Sequence, residues 1–89
     1  MKAISIDSHG SPKVIKIKDI PEPSCPANKV KIKIIASSIN HLDIWVREGI
    51  EGLHIDLPHI LGSDAAGVIC EVGSDINEFN IGEDVIIQP

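Results

Sequence analysis

The stretch Lys29 to Gly49, "KVKIKIIASSINHLDIWVREG", changes its hydrophobic period halfway along, and that change decides the fold. Its first half alternates. Val30, Ile32 and Ile34 share one face and Lys29, Lys31 and Lys33 the other, which predicts a strand over residues 29–37. From Ile35 the alternation stops, which predicts that the far end of the strand is covered on both faces. In the second half Leu42, Trp45 and Val46 stand at i, i+3 and i+4, one face of a helix. Asn40 is a good N-cap, Asp43 puts negative charge in the first turn, Arg47 lies in the last turn and Gly49 can close it. The spacing therefore predicts a helix over 41–48, too short to persist without packing on a sheet. Caps alone account for Asn40, Asp43, Arg47 and Gly49. A metal site and a cofactor-facing loop are the other two readings of the same residues.

Outward from this stretch the pattern is that of strands. "MKAISIDS" directs Ile4 and Ile6 inward, with Lys2, Ser5 and Asp7 towards solvent. "KVIKIKDI" puts Val14 or Ile15 and Ile17 inward, with Lys16 and Lys18 outward. Residues 2–8 and 13–19 thus read as a hairpin across the turn residues "HGSP". "PEPSCPAN" holds three prolines and reads as an extended crossing without a ladder. "IEGLHIDLPHI" reads as loop with apolar anchors. Strands follow over about 65–72 and 84–88, and Ala65, Ala66 and Gly67 imply close approach of another backbone or a ligand.

Composition supports a mostly β fold. Eighteen Ile and six Val stand against one Phe, one Trp and no Tyr, and β-branched side chains suit a pleated surface. With 89 residues there is room for one small domain. The formal charge of −5 argues against a nucleic-acid partner. All seven Lys lie in residues 1–33, where they fit the solvent faces of early strands. Cys25 and Cys70 follow no metal or redox spacing, and no apolar run is long enough to cross a membrane. The expectation is a cytoplasmic protein with free thiols.

The chemistry legible from spacing is sparse. His54, Asp56 and His59 form H-x-D-x-x-H, but on a proline-containing loop, so satisfied or solvent-facing histidines are the plainer reading. No G-x-S-x-G elbow surrounds Ser37, Ser38 or Ser63. The seven glycines never form G-x-G, so these residues hold no dinucleotide cradle.

The order of motifs nevertheless resembles a known family. The lysine-dotted hairpin, the proline-rich crossing, "VKIKIIASSIN", N-x-x-D-x-x-x-R-x-G, "PHILGSDAAGVICEVG" and F-x-I-G-x-D-V look like the N-terminal GroES-like domain of the medium-chain dehydrogenase/reductases. The resemblance covers nearly the whole chain. It implies a partly open β-barrel, NAD(P)H as cofactor in the parent enzyme, a small-molecule substrate and a homo-oligomer. In the zinc alcohol dehydrogenases of the family a catalytic Cys matches Asn40, and a His-Glu pair matches Ser63 and Asp64. The match of Asn40, Ser63 and Leu42 to positions that carry thiolate, imidazole and hydroxyl resembles the quinone-oxidoreductase branch, without catalytic zinc. The resemblance assigns Asn40, Ser63 and Asp64 to the catalytic cleft, His41 and Trp45 to the cofactor side, and Asp43 with Arg47 to a structural pair. It also implies a Rossmann domain in the same parent chain. The 89 residues are accordingly expected to be an inactive fragment, and a structural-zinc lobe would lie outside them. The alternatives are a free-standing co-chaperonin of the same fold, and a zinc enzyme using His41, Asp64 or His59 as substitute ligands.

Overall fold

A computed structural model describes residues 1–89. The alternating Ile and Lys residues form strands and the single helical-period stretch forms the helix. The order is β1 (Lys2–Ile6), a 3-10 turn (Pro12–Val14), β2 (Ile15–Asp19), β3 (Val30–Ser38), α1 (His41–Glu48), β4 (His59–Ile60), β5 (Asp64–Val72) and β6 (Asp84–Ile86). The fold is mostly β with one short helix, as the sequence predicts. Its strands make two three-stranded antiparallel sheets, β2-β1-β4 and β3-β5-β6, and neither ladder closes on itself. These sheets belong to two units, residues 1–22 with 39–63 and residues 23–38 with 64–89.

The first unit is built on the predicted hairpin, with Lys2 opposite Asp19 and Ile6 opposite Ile15. Its open end is tied by the Met1 amino group on the Ile20 carbonyl at 2.7 Å. Lys16 and Lys18 point outward as expected, and both meet Asp7. Ile4, assigned inward with Ile6, is 52% exposed. Two further expectations fail. Ser5, assigned to solvent, is 3% exposed, whereas Ile17, assigned inward, is 74% exposed. Strand position explains both. β1 is central, so Ser5 is flanked by Lys16 on one side and Ile60 on the other. β2 is an edge strand with nothing beyond it. The flanking strand β4 lies in a stretch whose sequence reads as loop, because two residues carry no period.

The second unit is a ladder interrupted twice. β3 pairs with β5 from Val30↔Val72 to Ser38↔Asp64, with register shifts between Lys31 and Ile32 and between Ile34 and Ala36. Each shift turns later side chains relative to a strict alternation. Ile34 therefore ends 51% exposed rather than inward, and Ile35 is 66% exposed rather than covered on both faces. Close backbone approach holds this unit together. A Cβ on Gly67 would lie 2.1 Å from the Lys33 carbonyl oxygen, and one on Gly73 would lie 2.3 Å from the carbonyl oxygens of Pro26 and Ala27. Only a residue without a side chain allows that contact. Both cysteines are free, as expected. Cys25 donates to the Lys29 carbonyl at 3.3 Å, and desolvation, then the Glu71 carboxylate, push its thiol pKa up.

Candidate functional site

The first unit assembles its polar side chains around the head of α1. Asn40 stands in extended backbone at the N-cap, and its Oδ1 accepts the Leu42 N–H at 2.9 Å. Asp43 completes a capping box, its Oδ2 accepting the Asn40 backbone N–H at 2.9 Å. The second oxygen of the same carboxylate, Oδ1, accepts the Ser63 hydroxyl proton at 2.9 Å. Asn40, Asp43 and Ser63 thus form one hydrogen-bonded group, although residue 63 is twenty positions beyond residue 43. What brings Ser63 there is β4. His59 and Ile60 pair with β1, the Leu61 N–H extends the pairing to Ile4, and Gly62 turns the chain at φ +118°. A side chain at Gly62 would be strained in that conformation.

The tail of the same helix is held from the other side. His9 Nδ1 donates to the Val46 carbonyl at 2.9 Å, which fixes a proton on that nitrogen. The Gly10 N–H donates to the Arg47 carbonyl at 2.9 Å, and Arg47 Nη1 returns a bond to the Gly10 carbonyl at 2.8 Å. The resemblance paired Arg47 with Asp43. Arg47 instead serves the Gly10 loop and stands 3.5 Å from Glu48, because both Asp43 oxygens are taken by the helix head and Ser63. These bonds satisfy carbonyls that a two-turn helix would leave open.

His41 and Trp45, one turn apart on α1, meet edge to face with ring centroids 4.7 Å apart. Trp45 is 52% exposed, so in this chain it does not fill a core. Together the two rings offer an aromatic surface beside Asn40 on the same helix.

In the second unit, Asp64 opens β5 and borders a crevice of about 330 Å³ with Ser37, Ser38, Ala65, Ala66 and Ile86. The Ser38 hydroxyl makes a long contact of 3.5 Å with Asp64 Oδ2. Sequence reasoning passed over Ser37 and Ser38. The available signal was their place at the end of the clearest strand, just before the N-cap. It also missed the Asp43–Ser63 bond, which no local pattern encodes.

Asn40 and Ser63 offer neutral oxygen and nitrogen in place of soft or anionic ligands. Neither unit groups three His, Cys, Asp or Glu side chains around a common point. His54 pairs with Asp56 at 2.9 Å while 87% exposed, and His59 lies in β4. No helix is long and apolar enough to cross a membrane.

With this geometry in place, comparison with known proteins gives the family. The model of the alcohol dehydrogenase GroES-like domain matches residues 26–89. Quinone oxidoreductase of Rattus norvegicus is 34% identical over 86 residues, covering 96% of this chain and 26% of that protein. An NAD-dependent alcohol dehydrogenase of Sulfurisphaera tokodaii is 34% identical over 96 residues, covering 100% of this chain and 27% of that protein. The crystal structure of Escherichia coli quinone oxidoreductase complexed with NADPH has a TM-score of 0.88 at 28% identity, covering 97% of this chain and 26% of that one. The chain belongs to the GroES-like domain family of the alcohol dehydrogenases and quinone oxidoreductases, the medium-chain dehydrogenase/reductases. It spans about a quarter of the length of the curated relatives it matches.

Proposed function

We propose that this chain is the substrate side of an NAD(P)H-dependent oxidoreductase that delivers hydride to a quinone, enone or similar carbonyl compound without a catalytic zinc ion. One observation carries the reading. Asn40 combines a structural task and a chemical one, its Oδ1 committed to the helix N–H and its NH2 group bearing the protons a carbonyl oxygen accepts. The cofactor supplies the hydride when bound. Asn40 polarises the carbonyl and holds it in line, a role in which a positioned donor is worth about a hundredfold or more in rate. Ser63 adds a polar oxygen fixed by Asp43. His41 and Trp45 offer ring surface to the nicotinamide end of the cofactor.

The dinucleotide itself needs a cradle that these glycines do not form. A Rossmann domain of the same polypeptide would supply it, and residues 1–89 alone would be inactive. Large apolar side chains left open on the second unit support a further covering element. Ile35 and Ile86 are 66% and 84% exposed, more than an isolated small domain gains from. Assembly into a homo-oligomer and a cytoplasmic setting for the two free thiols complete the reading.

The test uses the protein expressed from its complete coding sequence. After dialysis against a chelator, NADH and NADPH oxidation is followed with a quinone, an enone and a simple aldehyde, with zinc measured on the same sample. The reading expects turnover of quinone or enone that survives removal of metal. Turnover that depends on stoichiometric zinc, or none with any of the three acceptors, would defeat it.

A further inference from the structure

We infer that Asp43 is the positioning residue of the site, because it orients the Ser63 hydroxyl so that Ser63 can only accept hydrogen bonds from a ligand. One carboxylate holds two groups from distant parts of the chain, the Asn40 backbone N–H at 2.9 Å and the Ser63 hydroxyl at 2.9 Å. A serine hydroxyl has one proton and two lone pairs, whereas an ionised carboxylate has no proton to give. The Ser63 proton therefore points at Asp43 and the lone pairs of Oγ point elsewhere. The site then presents opposite polarities on one scaffold. Asn40 brings a donor group suited to a carbonyl oxygen, and Ser63 brings an acceptor suited to a hydroxyl or N–H of the same ligand. Asp43 touches neither ligand group. It acts through Ser63 and through the N-cap.

This arrangement makes Asp43→Asn an informative variant. Only the amide oxygen can accept the Asn40 N–H, so that half of the capping box survives. The amide NH2 then faces Ser63 Oγ and donates to it, and the Ser63 proton must turn outward. Ser63 changes from acceptor to donor while the helix stays capped. Asp43→Ala removes both contacts.

The inference rests on the oxidoreductase reading for its kinetic arm only. In the protein from the complete coding sequence, Asp43→Asn is expected to raise KM about tenfold for a carbonyl substrate that also carries a hydroxyl or N–H for Ser63 to accept from, the size of one lost hydrogen bond, with kcat changed less than about threefold and with KM for a quinone lacking such a group unchanged. In a Ser63→Ala background the same change is expected to add almost nothing, because Asp43 acts through the hydroxyl that is gone. Additive effects would overturn the inference, since a merely structural Asp43 would weaken both backgrounds alike. A second arm needs no activity. The Ser63 hydroxyl proton, followed by NMR at low temperature, should exchange slowly in the wild type and rapidly in Asp43→Ala. Equal exchange in both would also overturn it. An inactive wild type with a protected hydroxyl defeats the oxidoreductase reading and leaves the Asp43–Ser63 assignment standing.

Discussion

The two units of this chain achieve order by different physical means. Residues 1–22 with 39–63 hang on side-chain polar contacts to the two ends of one short helix. Residues 23–38 with 64–89 hang on backbone pressed against backbone, at Gly67 and Gly73. Each unit has a single large side chain fully withdrawn from water, Ile6 in the first and Ile69 in the second. The difference shows where chemistry can be placed. A unit organised by caps and carboxylates keeps polar groups in fixed directions, and the proposed site residues Asn40, Asp43 and Ser63 fall there. A unit organised by glycine contacts supplies a firm sheet and an apolar crevice.

This contrast can be broken or sharpened by substitution, the largest effects coming first. Ile6→Ala and Ile69→Ala should each cost about 2–5 kcal/mol in unfolding free energy, measured by urea titration, because each truncates the one large side chain of its unit that is fully withdrawn from water. A cost below about 1 kcal/mol for either would mean that its unit has no true core. Next, Gly67→Ala and Gly73→Ala should cost about 1–3 kcal/mol, since the new methyl meets carbonyl oxygens that cannot yield without moving the ladder. Hydrogen exchange should show the loss in β3 and β5 and spare α1; uniform loss in both units would erase the distinction.

A smaller effect is expected at the helix. Asn40→Ala should cost about 1 kcal/mol through the lost cap, seen as reduced helical circular dichroism, with β3–β5 protection unchanged. The smallest concerns the exposed cluster at Asp7. Lys18 first, then Lys16, holds the Asp7 carboxyl below its ordinary value of 3.8. The folded state therefore gains stability from this group above that value, and the gain vanishes as pH falls through the lower folded-state pKa. Wild type should lose more of its denaturation midpoint than Asp7→Asn as pH falls below 3.8, and high salt should shrink the difference. Identical pH profiles would show that the cluster contributes nothing.

The sequence made some of this plain and hid the rest for identifiable reasons. α1 was legible to the residue because Asn40 caps it, Gly49 ends it, and Leu42, Trp45 and Val46 mark its face. β1 and β2 were legible as a pair because both alternate across turn residues. The side-chain directions were not. Ser5 is buried on a central strand flanked by β2 and β4, and β4 has too few residues to leave a pattern. Ile34 and Ile35 are exposed because register shifts lie in the β3–β5 ladder, a property of two strands together that neither strand shows alone. At the site, Asn40 stood out through its capping position, whereas the Asp43–Ser63 bond spans a loop and a second strand. The resemblance paired Arg47 with Asp43, but Arg47 donates to the Gly10 carbonyl.

The account turns on Asn40 doing two jobs with the two ends of one amide. Aspartate caps a helix as well as asparagine does, but when ionised it has no proton to offer a carbonyl. The most direct test is therefore kcat/KM for NAD(P)H-dependent reduction of a quinone or enone by Asn40→Asp, in the protein from the complete coding sequence, with helical circular dichroism taken alongside. The predicted result is a loss of about a hundredfold with the helix signal retained. Wild-type kcat/KM in the variant would contradict the account.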